Sequence, residues 1–154
     1  MAERAGRPRA LDGLEAALGS LGVADSALRE RWDKDAWVAD WDGSVRGHDV
    51  HLLVMGAGSR PDGVRLMVDE FTFEEVRTEH LGELVQKVFT GEARITRSGF
   101  LGLFERLDLE VRIGSKTYFA SVSGDCADDL SAWARPLAAS WELRRGAARR
   151  PGTP

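Results

Sequence analysis

The sequence predicts an α+β domain: a mainly antiparallel sheet of about five to six strands with helices packed on one face, in two layers, led by an N-terminal pair of helices. Three observations carry this expectation. Leu107, Leu109, Val111 and Ile113 alternate with Asp108, Glu110 and Arg112, the period of a strand with one buried face. Gly114-Ser115 then offers a two-residue turn that sets Val111 opposite Tyr118, Leu109 opposite Ala120 and Leu107 opposite Val122; a slip of one residue would turn charges inward. Leu81, Leu84, Val85 and Val88 form the i, i+3, i+4, i+7 stripe of an amphipathic helix.

Taken in order, the first element is a helix over about 9–21, where Leu11, Leu14, Leu18 and Leu21 recur after Pro8 and before Gly22. A second helix is expected from Asp25 or Ser26, with Leu28 and Trp32 on one face and Glu30 four residues before Lys34. At Trp37 the period changes to two: Trp37, Ala39 and Trp41 share a face, and Asp42-Gly43 offers a turn. Residues 45–55 read as a central strand, with Val50, Leu52 and Val54 on one side and Leu53 and Met55 on the other. A glycine-rich loop, 56–63, leads to a strand through Val64, Leu66 and Val68.

Thr72 and Glu75 have capping-box spacing, so the Leu81 helix starts between 73 and 79 and ends at Gly91. Residues 93–97 and 100–104 read as strand segments ahead of the hairpin, with a bulge near 105–106 where Glu105 interrupts the apolar series. A last helix should begin after Asp125, with Asp128 and Asp129 in its first turn and Leu130, Trp133, Leu137 and Trp141 on its apolar face, kinked at Pro136.

A chain of 154 residues is one domain's worth and buries roughly 70% of its unfolded surface without disulfides. That domain is expected over 9–145, between flexible basic tails at 1–8 and 146–154. Cys126 is the only cysteine and no apolar run resembles a secretion signal or a membrane span, so a cytoplasmic location is expected. Arginine far outnumbers lysine, and alanine and glycine are abundant, as a GC-rich genome tends to encode, and a bacterial source is the expectation. The net charge is −4, but residues 1–9 carry +2 and 144–154 carry +4, leaving −10 on the body between them. Such a body repels nucleic acid and suits a basic protein partner.

Motifs for chemistry fail their context. Gly56-Ala57-Gly58 follows a strand, but another strand comes next where a phosphate-binding loop needs a helix. Gly114-Ser115-Lys116 is accounted for by the hairpin. His48, Asp49 and His51 alternate along one strand, so at most two could converge on a metal. Asp108, Glu110 and Lys116 resemble a restriction-type nuclease set only loosely, because Arg112 stands where the lysine belongs. Cys126 sits among Asp125, Asp128 and Asp129, which disfavour its thiolate. No catalytic residue, metal or cofactor is therefore expected.

The reading that remains is a protein-binding module, in the manner of an immunity protein or antitoxin, or of an adaptor or chaperone. Its expected contact residues are Asp40, Asp69, Asp108, Glu110 and Phe119, the last an aromatic on the polar face of the hairpin. Two alternatives stay open. One is a metal-dependent hydrolase assembled from His48, His51, Asp40 and Asp69; the other is a small-molecule domain with a pocket of Trp37, Trp41 and Trp133.

Overall fold

The computed structural model describes residues 6–98, 106–123 and 130–138. Helix α1 (Arg9–Ser20) is followed by strands β1 (Arg29–Asp33), β2 (Ala36–Val45), β3 (His48–Ala57), β4 (Arg60–Val68) and β5 (Phe71–Arg77). A 3-10 turn, Thr78–His80, runs into α2 (Leu81–Phe89), and β6 (Ala93–Ser98), β7 (Arg106–Ile113) and β8 (Lys116–Ser123) follow. The class is α+β and every strand ladder is antiparallel. The strands form two sheets, β1-β2-β3-β4-β5 and β6-β7-β8, where the sequence suggested one of five to six strands.

All four connections within the first sheet are two residues long, which makes it a simple meander. At the β2–β3 turn Arg46 and Gly47 both take positive φ, 51° and 82°, the geometry whose twist matches that of the flanking strands. The expected turn at Asp42-Gly43 is thus displaced by four residues, because Gly43 stays in the ladder opposite Val50 with the Trp41 ring laid across it. The glycine-rich stretch 56–63 is likewise no loop: only Gly58 and Ser59 leave the strands.

Two expected helical features are strand instead. Residues 29–33 pair with β2 in a five-residue ladder, so the second N-terminal helix is absent and α1 has no helical partner before α2. Asp25 caps only a local turn, accepting from the Ala27 N–H at 3.1 Å, and Glu30 pairs with Arg7 where a helix would have paired it with Lys34. The Thr72/Glu75 spacing belongs to β5, whose Phe71, Phe73 and Val76 face the core across a bulge. The α-helix after it begins at Leu81, later than the expected 73–79 because β5 and a 3-10 turn at 78–80 occupy those residues, and its Leu81, Leu84, Val85 and Val88 are all buried.

The β7–β8 register is the one expected, with Val111 opposite Tyr118, Leu109 opposite Ala120 and Leu107 opposite Val122 about a turn in which Gly114 takes φ 59°. Residues 130–138 form turns and a short 3-10 helix, Arg135–Leu137, where an α-helix was expected. Pro136 has no N–H to give to a helix, and Ala138 is extended and bridges Ile95 of β6. Leu130 and Trp133 are nonetheless buried. The segments 100–104, 125–129 and 139–154, with Cys126 and Trp141, lie outside the described residues.

A continuous core joins both sheets and both helices. Strands β5 and β8 lie side by side, linked by the Tyr118 hydroxyl, which is 2.8 Å from His80 Nδ1 and accepts the Arg77 N–H at 3.3 Å. α1 crosses α2 so closely that a Cβ on Gly82 would stand 2.7 Å from the Gly13 carbonyl oxygen. No helix among the described residues is long and apolar enough to cross a membrane.

Arg7 ties α1 to the edge strand β1, donating to Glu15 and Glu30 at 2.5 Å each. Its hydrogen bonds, aided by the Leu28 N–H, hold the Glu15 carboxyl below the usual range. In the unfolded chain that carboxyl returns to its ordinary value, so the stabilisation is complete above about pH 4.3 and is lost as the pH falls through the lower folded value. The expected result is that Glu15→Gln melts below wild type at neutral pH and that the gap narrows on acidification below about pH 4. Melting curves across that range test it; a gap independent of pH would remove Glu15 from the acid sensitivity.

Candidate functional site

The outer face of the three-stranded sheet gathers three of the five expected contact residues. On β7, Asp108 and Glu110 project to the side opposite the buried Leu107, Leu109 and Val111, as alternation requires. Glu110 stands opposite Phe119 of β8 and receives the Arg94 guanidinium of β6 at 3.1 Å. Phe119 is 57% exposed. Asp108, expected on the solvent face, is only 8% exposed: Ser98 and Ser121 donate hydroxyls to it at 2.9 and 2.5 Å, and Arg106 Nε lies 3.2 Å away. A carboxylate with this many donors is held rigidly, so Asp108 braces β6, β7 and β8 under the patch, while Phe119 and Glu110 present it.

Asp40 and Asp69 lie elsewhere. On β2, Asp40 pairs with Arg29 of β1, which also reaches Asp42 at 2.5 Å. His51 of β3 stands opposite Asp42, and one ligand atom each from Asp40, Asp42 and His51 lie within 4.8 Å of one another. This is the part of the hydrolase constellation that the structure brings together; His48 is not in it. The Arg29 guanidinium donates to both carboxylates. Asp69 occupies the β4–β5 turn and faces inward, accepting from the His51 N–H at 3.0 Å and from the Trp133 indole N–H at 2.6 Å.

The tryptophans expected to share a pocket are distributed through the fold. Trp133 packs edge-on against Phe71 and Phe89, with ring centres 5.9 and 5.3 Å apart. Trp41 gives its indole N–H to the Asp25 carbonyl at 2.9 Å. Trp37 lies over Gly56 and beside Trp32, ring centres 6.3 Å apart. Trp32 is 43% exposed. Sequence reasoning placed it on a helix and missed its role as the outer wall of a cavity with Trp37. The signal that could have found it is the i, i+2 alternation of Glu30, Trp32 and Lys34, hidden because the same residues also satisfy helical i, i+4 spacing.

No protein-family model, curated protein or solved structure matches this chain.

Proposed function

We propose that the chain is a cytoplasmic protein-binding module with no reaction of its own, which holds a partner protein against the outer face of β6, β7 and β8. The observation that carries this reading is Phe119, a large apolar side chain more than half exposed on a sheet face braced by the Asp108 hydrogen bonds and bordered by the Arg94–Glu110 pair. Aromatic residues on rigid supports are the usual anchors of protein interfaces. The body charge of −10 favours a basic partner by steering its approach. An immunity protein or antitoxin that covers a basic effector fits these features, as does an adaptor or chaperone.

The test is quantitative capture from the native host with tagged wild-type protein and with Phe119→Asp, followed by binding kinetics on whatever distinguishes them. A protein retained stoichiometrically by wild type and lost with the variant is the expected result. Glu110→Arg should then slow association severalfold and flatten its salt dependence. Equal recovery by wild type and Phe119→Asp, with both melting alike, would sink the assignment of this face.

A further inference from the structure

A cavity of about 820 Å³ opens between residues 6–10, the β1–β2 hairpin and the start of β4. That volume falls within the roughly 300–1,000 Å³ of small-molecule sites. Its apolar wall is the Trp32–Trp37 pair, with Pro8, Pro61 and Val64 completing it. It lies on the five-stranded sheet, whereas the Phe119 face belongs to the other.

The charges around the cavity are unevenly committed. Of the lining acids, Glu30 is paired with Arg7, which also holds Asp12 and Glu15. Asp35 accepts the Ser59 N–H at 2.8 Å through its carboxylate, and its carbonyl accepts the Gly58 N–H at 2.8 Å. Arg9, Lys34 and Arg60 also line the cavity, and none has an ion-pair or hydrogen-bond partner among the described residues. Three cations with no partner among the described residues therefore border an aromatic cleft on a body of charge −10, beside one lining carboxylate, Asp35, that bonds to a backbone N–H. Surface cations in an acidic protein ordinarily find acids nearby, so the cluster favours an anion from outside. The Trp pair offers a flat ring both stacking contact and shelter from water.

The walls are also fixed before anything binds. Asp35 joins the β1–β2 turn to the β3–β4 turn, Arg7 joins the N-terminal segment to β1, and the Thr78 hydroxyl donates to the Pro61 carbonyl at 2.6 Å. A preformed cleft binds without a large ordering cost.

We propose that this cavity binds a small planar aromatic anion, its ring against Trp32 and Trp37 and its carboxylate or phosphate among Arg9, Lys34 and Arg60. The probes are 2-naphthoate and adenosine 5′-monophosphate, each against its uncharged counterpart, 2-naphthamide and adenosine, titrated into the full chain and followed by the indole N–H resonances of Trp32 and Trp37. At least one anion should shift both resonances saturably with a Kd of about 1 mM or tighter, and about tenfold more tightly than its neutral counterpart. The double variant Lys34→Ala/Arg60→Ala, whose altered side chains make no internal bond among the described residues, should keep the wild-type melting temperature and lose that tenfold preference. Trp32→Ala should weaken the charged and neutral members of a pair alike. Unmoved resonances with both anions, equal affinity for charged and neutral forms, or full affinity in the double variant would each overturn the proposal.

Discussion

Asp69→Ala lowers the stability of the folded chain by about 2–5 kcal/mol, the sum of two effects. The first is lost hydrogen bonding. Asp69 Oδ2 accepts the indole N–H of Trp133, a ring only 5% exposed, and Oδ1 accepts the backbone N–H of His51. Alanine leaves the indole donor buried without a partner, at about 1–3 kcal/mol. The second is backbone conformation: Asp69 sits at φ 49°, a left-handed geometry that aspartate and asparagine tolerate and that costs alanine about 1–2 kcal/mol. Asp69→Asn keeps the turn and one acceptor oxygen and should lose less than half as much. Urea denaturation measures both, and Trp133→Phe completes the cycle: in that background most of the hydrogen-bond component of the Asp69→Ala loss should vanish. If the loss is undiminished there, the Asp69–Trp133 bond contributes little.

A consequence concerns function. Asp69 and the neighbouring Glu70, which accepts the Ser131 N–H at 3.0 Å and its hydroxyl at 2.7 Å, fasten residues 130–138 to the β4–β5 turn. Weakened partner binding in Asp69→Ala therefore has to be separated from weakened folding, whereas Phe119→Asp carries no such ambiguity because the Phe119 side chain is mostly in solvent.

Gly56→Ala destabilises by about 1–3 kcal/mol, in a position where alanine would normally be neutral or favourable. Gly56 lies opposite Trp37 in the β2–β3 ladder, and a Cβ on it would stand 2.3 Å from the indole ring. Trp37 is 5% exposed, so the ring can move only by giving up core contacts or by swinging into the cleft it shares with Trp32. Gly43 repeats the arrangement under Trp41, again with a 2.3 Å approach. The denaturation midpoint of Gly56→Ala should fall with an unchanged m-value, and Trp37→Leu, which removes the overlying ring, should make the alanine at 56 nearly harmless. An alanine tolerated with Trp37 in place would show that the ring has room to shift.

Where the sequence was legible, neighbours along the chain sufficed. The β7–β8 hairpin carries its own register, since alternation and a glycine turn leave one pairing that keeps the charges out. From that register the exposure of Phe119 followed directly. The α2 stripe was equally readable, because four apolar residues at helical spacing fit no strand. Residues 28–34 were ambiguous: Leu28 and Trp32 stand four apart, which is one face of a helix and also one face of a strand. The β2 partner decided the matter by offering a ladder. Thr72 and Glu75 misled in the same way, since capping-box spacing is local and the core faces of Phe71 and Phe73 depend on β4.

The division between sequence and tertiary structure follows from the range of each interaction. Alternation, helical stripes and the charge imbalance between body and ends are properties of adjacent residues, and they determined the α+β class, the antiparallel pairing and the aromatic on a polar strand face. The burial of Asp108 needed Ser98 and Ser121 from two other strands; the inward turn of Asp69 needed Trp133, 64 positions away. The cationic cleft needed three separate stretches of chain to meet, so that Arg9, Lys34 and Arg60 line one cavity while Arg7 holds Glu30 and the Ser59 N–H holds Asp35. Which charges are satisfied and which remain available depends on distances across the fold, and only the folded chain sets those.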